Sequence, residues 1–581
     1  MSRVRSSRRF RKLMLGLVLT ALPGNLYCQA IGTRPNFGPN VMVFRPEMAQ
    51  EYVQQKIDEV YAEQRHSEFG AGRYALIFLP GLYKIDVPVG FYTEVIGVGS
   101  NRDDIRIQGN VHSDAASRNN NATTTFWRGV EGFSVVPTGG TMQWAVSQAA
   151  PFRRMHIVGD LVLHQKHGWA SGGWIADSVI DGTVDSGSQQ QWISRNSEWG
   201  QWTGSNWNMV FVGVKQPPEG EWPKPPYTKI VLAPVTREKP FLEVDERGNF
   251  DVRVPDVRRN SVGVTWRPGR TPGRSITIDN FYIARPDKDT DSTINVALAR
   301  GKHLLLTPGT YNLHAPIRVR RRGTVVLGLG FATLHPIDGT EAMIVADVDG
   351  VTVSGLLFDA GPITSSSLLQ IGAKGASLRH RQNPISIHDV FFRVGGASEG
   401  RTQANLVINS NDVIVDHAWI WRADHGNYVG WEKNQSLYGM LVRGTDVTAY
   451  GLFVEHHQKD QVLWTGENGR TYFYQSEIPY DPPTQAAWSI SGRRGFAAYK
   501  VGDAARHHEA WGLGIYSVFR HPDVVLDRAI ETPISAGVRF HHAITVALGN
   551  RGAILNVINE TGGPTRMNPR FEPRVAEYPE R

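Results

Sequence analysis

Cysteine is almost absent from this chain. Cys28 is the only one in 581 residues, and without the N-terminal segment no disulfide, thiolate metal site or cysteine nucleophile is possible. Long apolar runs are missing as well: beyond residue 30 nothing approaches the ~20 residues that a membrane-spanning helix needs. An excess of charge of one sign is also lacking once the first 30 residues are set apart. They hold Arg3, Arg5, Arg8, Arg9, Arg11 and Lys12 and no acid, so the formal net charge of +7 falls to about +1 without them. Neither a nucleic-acid partner nor a membrane partner is therefore expected.

Those 30 residues have the layout of an export signal. A basic start is followed by an apolar run, Leu13 to Leu22, too short to span a bilayer, and by a small-residue exit at Ala30. The expected location is secreted or periplasmic. Ser7-Arg8-Arg9-Phe10 matches a twin-arginine signal only loosely, and Cys28 lacks the preceding small residue of a lipid anchor.

What the chain has in quantity is glycine, 60 residues, with 33 prolines and 10% aromatics. That mixture suits strands and turns, not a helical bundle. One helix is expected early, Glu47 to Glu63, from apolar residues at helical spacing. An internal repeat then sets the architecture. ALIFLPGLYKIDVPV at 75–89 returns as LLLTPGTYNLHAPI at 304–317, with Pro80, Gly81, Tyr83 and Pro88 recurring as Pro308, Gly309, Tyr311 and Pro316. After the second copy come strand-like segments at 351–358, 385–392, 413–420, 447–454 and 471–478, whose starts lie 34, 28, 34 and 24 residues apart. Such spacing fits successive coils of a solenoid with variable loops. The expectation is an all-β chain of two tandem right-handed parallel β-helices of the pectate-lyase type. The first covers 31–214, a Pro- and charge-rich excursion 215–290, and the second 291–581.

Chemistry concentrates at 447–483. Glu455 and Glu477 lie 22 residues apart, each at the end of an apolar strand pattern, with His456, His457, Gln475 and Tyr480 around them. Paired carboxylates among aromatics and amides suit acid/base work on a neutral glycan. Aligning the two strands by apolar alternation shifts the acids by two residues, which places them about 8 Å apart, within the ~6.5–9.5 Å of inverting glycosidases. Glu477, flanked by Ile478 and Pro479, is the candidate general acid, since apolar surroundings keep a carboxyl protonated. Glu455 is the candidate partner of the attacking water or the tuner of Glu477, and Tyr480 a hydrogen-bond partner of acid or sugar. His456 and His457 alternate faces on a strand and cannot easily share an ion, so neither metal nor cofactor is expected. Trp192, Trp199, Trp202 and Trp207 are candidate sugar-stacking rings, Trp192 and Trp207 foremost.

Two β-helices opened by PGxY turns, with VEHHQKDQV, YFYQSEIPY, Trp421-Arg422-Ala423-Asp424-His425 and Ser188-Gln189-Gln190-Gln191-Trp192, resemble glycoside hydrolase family 55. The threonines of the family's second glutamate motif are Ser476 and Ile478 here, which marks a divergent member. The resemblance implies a secreted β-1,3-glucanase acting by inversion, with Glu477 as acid and a water held also by Gln190 or Gln191. It further implies substrate contacts from Asp424, His456 and Gln475, on a polysaccharide or oligosaccharide bound by a monomer. A uronate lyase or epimerase would want a basic cleft or clustered aspartates for calcium; a non-catalytic glycan-binding β-helix would need no acid.

Overall fold

The repeated turn builds one device twice. Gly81 and Gly309 sit at φ 149° and 147°, and a Cβ on either would fall 2.4 Å from Pro46 or Pro286, so only glycine fits. Two residues on, the Tyr83 hydroxyl reaches the carbonyls of Leu79 (2.9 Å) and Phe44 (3.1 Å). The Tyr311 hydroxyl likewise reaches those of Thr307 (3.0 Å) and Ala284 (2.8 Å). Each turn therefore locks the first rung of a coil to the strand before it. A helix precedes each: α1, Gln50–Gln64, buries Val53, Ile57 and Val60, and α2, Asp291–Ala299, buries Ile294 and Leu298. The early helix matches its expectation to within a turn. The second, only nine residues long and capped by Thr290, leaves too short a periodic pattern to be read from sequence.

This computed structural model describes residues 35–115, 118–267 and 269–580; the expected export signal and Cys28 lie outside them. The described residues contain no helix long and apolar enough to cross a membrane. Parallel strands run in chain order through a nine-stranded sheet from Val41–Phe44 to Tyr227–Ile230, and through a twelve-stranded sheet opened by Phe281–Ala284 and closed by one antiparallel strand, Arg574–Tyr578. Each is accompanied by a second, eight-stranded sheet of the same coil. This is the expected tandem parallel β-helix. Between the coils, residues 233–277 form two small antiparallel sheets.

Four strands matter below: β1, Gln191–Arg195, in the first coil, and β2, Ile414–Arg422, β3, Thr448–Glu455, and β4, Gly469–Glu477, in the second. In the second coil the inward residues stack in register, as in Val353, Ile387, Val415 and Ala449, all fully buried. Burial of one such aliphatic side chain contributes about 1.5–3 kcal/mol. From Thr352 onward the rungs turn a corner on one left-handed residue each. Gly355, Asp389, His417, Gly451, Phe473, Gly512 and His542 form one in-register column, with φ between 49° and 72°. Asp389, His417, Phe473 and His542 occupy a conformation that is costly for non-glycine residues, and all four face the other coil.

The coils meet along an aromatic seam in which Phe126, Trp127 and Trp174 of the first pack with Trp419, Trp421, Tyr450, Phe453 and Phe473 of the second. Deeper in the seam lies a buried ionic network. Arg153 reaches Asp389 (2.8 Å) and Asp416 (2.9 Å), and Arg195 bridges Asp416 (2.9 Å) and Glu238 (2.7 Å). Lys239 joins Glu94 (2.9 Å) and Glu131 (2.7 Å). Burial alone would push Asp389 and Asp416 up, but the facing guanidiniums outweigh it and hold both well below the usual carboxylate range. Glu238 and Lys239 come from the excursion, so that segment takes part in fixing one coil on the other.

Candidate active site

At one mouth of the seam a cavity of about 230 Å³ is lined from both coils. β3 and β4 end there in carboxylates that are direct register partners: Glu455 pairs with Glu477, Phe453 with Gln475. The two-residue shift expected from apolar alternation is therefore wrong. The αL corner in each strand interrupts the alternation on which that alignment relied, and both strands turn at the same rung position. The two Cα atoms thus stand one rung apart, ~4.8 Å, and the side chains leave the same face.

Glu455 is 2% exposed. Its Oε1 accepts from Gln148 Nε2 (3.0 Å) and its Oε2 from Trp419 Nε1 (2.9 Å). Burial pushes its carboxyl up to about 7 against the donors Trp419, Gln475 and Gln148. Glu477 is pushed well above the carboxylate range, first by burial, then by the like charges of Glu455 and Asp424. Its Oε2 accepts a short hydrogen bond from the Tyr480 hydroxyl. One carboxyl of the pair is thus held protonated and the other titrates near neutrality, the division that acid/base catalysis requires.

A charged wall closes one side. Asp424 Oδ1 pairs with His425 Nδ1 (2.8 Å), and His425 Nε2 with Glu68 Oε1 (2.6 Å). Burial opposes both charges, but the pairing holds Asp424 far below the usual range and raises His425 to about 10. His456 lies edge-on to Tyr480 with centroids 4.4 Å apart. Its Nδ1 faces the Ile478 carbonyl at 3.2 Å and burial lowers its pKa, so the neutral ring carries its proton there. Its Nε2 is left toward Asp424, at 3.9 Å.

The structure brings Glu455, Glu477, Tyr480, Asp424, His456 and Gln190 to this cavity. Gln190 and Gln191 separate cleanly. Gln190 lines the cavity with its Oε1 unpartnered, whereas Gln191, fully buried on β1, turns its Nε2 to the Ser171 carbonyl. Gln475 is fully buried next to Glu455, and its amide helps to hold the Glu455 carboxyl down. His457 belongs to the coil interior, between Ser436 Oγ (2.8 Å) and the Ile420 carbonyl (3.2 Å). No group of three or more His, Cys, Asp or Glu among the described residues is placed to hold a metal ion.

The tryptophans are the main correction. Trp192, 1% exposed, points into the first coil, its ring filling the space where a Cβ on Gly173 would lie. Trp199 and Trp202 pack in the same core. Trp207, 4% exposed, is bonded through Nε1 to Glu572 (3.1 Å) and covered by Trp169, which is 47% exposed. None of the four lines the cavity: inward alternation turns Trp192, Trp199 and Trp202 into core, and Trp207 packs against Tyr516 under Trp169. The phenyl, phenol and indole rings that do line it are Phe126, Trp419, Trp421 and Tyr480. Trp419 lies two residues before the Trp421 motif, so period-two alternation could have found it. Nothing in the sequence signals Gln148, which lies 307 residues from the carboxylate it holds.

A cleft between two parallel β-helices, holding one protonated and one near-neutral carboxyl among aromatic rings and amides, defines a glycosidase. Residues 281–477 match the LAM55 pectate lyase-like domain. The chain is 48% identical over 547 residues to an exo-beta-1,3-glucanase of Streptomyces sp. (strain SirexAA-E / ActE), covering 94% of this chain and 90% of that protein. The solved structure of sacteLam55A from Streptomyces sp. SirexAA-E superposes with a TM-score of 0.92 over 94% of this chain and 99% of that one. A variant of that protein with one glutamate replaced by alanine, in complex with glucose, superposes equally well, at 48% identity. The chain belongs to the Lam55A family, glycoside hydrolase family 55.

Proposed function

We propose that the protein is an exported β-1,3-glucanase that releases glucose from chain ends by inversion, with Glu477 as general acid. The observation that carries this reading is the register-paired carboxylates in a cavity of about 230 Å³, a volume suited to one terminal glucosyl unit, closed on one side by Asp424 and His425. Glu477, kept protonated, donates to the leaving glycosidic oxygen, and Tyr480 steadies it. Glu455 keeps both oxygens engaged by Gln148 and Trp419, which suits a base that receives a proton from water better than a nucleophile that must swing onto carbon. Gln190 adds a free amide oxygen for that water. Asp424 accepts from one sugar hydroxyl, and a neighbouring hydroxyl donates to His456 Nε2. The glucanase relative and the glucose bound to its structural counterpart support a β-1,3-glucan substrate; the N-terminal signal pattern supports export.

A separation of one rung, ~4.8 Å between backbones, taken alone also suits the ~5.5 Å carboxylate spacing of retaining enzymes, so a retaining reading with Glu455 as nucleophile is the alternative. Proton NMR of laminarin hydrolysis decides: α-glucose as the first-formed product is expected, and first-formed β-glucose would overturn inversion. Release of glucose without larger oligosaccharides from laminarin is the matching expectation for chain-end attack.

A further inference from the structure

The second coil carries a row of cations on a different sheet from the one that ends in Glu455 and Glu477. The strand Ile317–Val319 and the turn after it present Arg318, Arg320, Arg321 and Arg322, all exposed. Lys374 is exposed on the loop two rungs away. Among the described residues none of these five side chains has an ion-pair or hydrogen-bond partner. Some other surface arginines of this coil do have partners: Arg379 is paired with Asp412 and Asp446, and Arg494 with Asp527. With a net charge of about +1 outside the leader, five unpaired cations in one region are a local excess.

Arg318, Arg320 and Lys374 line one groove of about 440 Å³. Its course follows the coil: Arg318 pairs with Ile344, and Ile344 with Gln370, so three successive rungs, ~4.8 Å apart, each turn one side chain into it. The single acid on the lining, Asp347, is already engaged, 3.0 Å from His380 Nε2 and accepting from the Leu378 amide at 3.1 Å. With Arg318 and Arg320 at one end and Lys374 at the other, the groove carries a net positive charge. Guanidinium forks bind carboxylates by two parallel hydrogen bonds, and cations spaced along an open groove suit a repeating anion better than a single small one.

We propose that this groove binds an acidic polysaccharide, a chain bearing uronate carboxylates, independently of the catalytic cleft. Such binding would hold the enzyme on mixed wall material while the cleft works on neutral glucan. Because the cations are exposed, the attraction is screened over ~8–10 Å at ordinary ionic strength and weakens with added salt.

The test is retention of the full chain on immobilised polygalacturonate across a salt gradient. Wild type is expected to be retained at low salt and eluted by sodium chloride. The combined variant Arg318→Ser, Arg320→Ser, Lys374→Ser should bind roughly tenfold more weakly, with laminarin hydrolysis and thermal midpoint unchanged. Failure of wild type to be retained, or equal retention of the variant, would overturn the proposal. So would displacement by soluble laminarin, which would place binding in the cleft. Equal retention on immobilised DNA would also overturn it, showing that charge alone, not a uronate chain, is recognised.

Discussion

Glu455 and Glu477 are register partners on adjacent parallel strands, so two buried carboxyls face one cavity from neighbouring rungs. Burial raises both carboxyls, and the charges of Glu455 and Asp424 raise Glu477 further, leaving Glu477 protonated and Glu455 near 7. Removing the donor should therefore be severe. Glu477→Gln is expected to lower kcat on laminarin by about 10²–10⁴-fold, the usual weight of a general acid, with KM little changed; kcat within threefold of wild type would refute the assignment.

The pH–rate profile should be a bell. Glu455 acts ionised, so activity falls as pH drops through about 7; Glu477 acts protonated, so activity falls again on the alkaline side. Trp419→Phe keeps the seam packing but deletes the Nε1 donor to Glu455 Oε2. Losing a donor to the charged form raises a carboxyl pKa, and the acidic limb of kcat/KM should move to higher pH. An unmoved limb would mean that Glu455 is not the group being read.

Stability carries the same proton. Glu477 has a folded pKa well above its ordinary 4.5, so the folded state binds the proton more tightly than the unfolded one. Its contribution is full below about pH 4.5 and is lost as pH rises through the raised folded value. Glu477→Gln cannot lose a proton, and its thermal midpoint should exceed that of wild type increasingly as pH rises above neutrality. Parallel melting curves for the two proteins from pH 5 to 9 would remove this account if they showed a constant difference.

The seam's ions should matter more broken than intact. Asp416 accepts from Arg153 and Arg195 at 2.9 Å each, and Asp416→Ala leaves two buried guanidiniums short of a counter-charge. A loss of about 3–5 kcal/mol in urea unfolding is expected. In wild type, stability linked to Asp389 and Asp416 is present above their ordinary pKa of 3.8 and is lost as pH falls below it.

Trp192 separates core from platform. Trp192→Ala should cost about 3–5 kcal/mol of stability, as for a large core ring, and leave KM for laminarin oligosaccharides unchanged in the folded fraction. A raised KM with unaltered unfolding would return Trp192 to the substrate.

Much of this molecule was legible along the chain. The PGxY repeat marks the start of each coil because Gly81 and Gly309 need a backbone that only glycine adopts beside a proline. The apolar segments mark the rungs because inward side chains must stack, and Glu455, Glu477 and Tyr480 stand at the ends of such segments. Three things needed the third dimension. The register of the acids depends on left-handed corners at Gly451 and Phe473, which period-two alternation does not count. The burial of Trp192 and Trp207 depends on which face of a strand turns inward or is covered by Trp169. The hold on Glu455 depends on Gln148, brought across the seam from 307 residues away. Local sequence determines what a strand or turn can be, because steric and apolar preferences act between near neighbours. Which side chains share a cavity was decided only by the docking of one coil on the other.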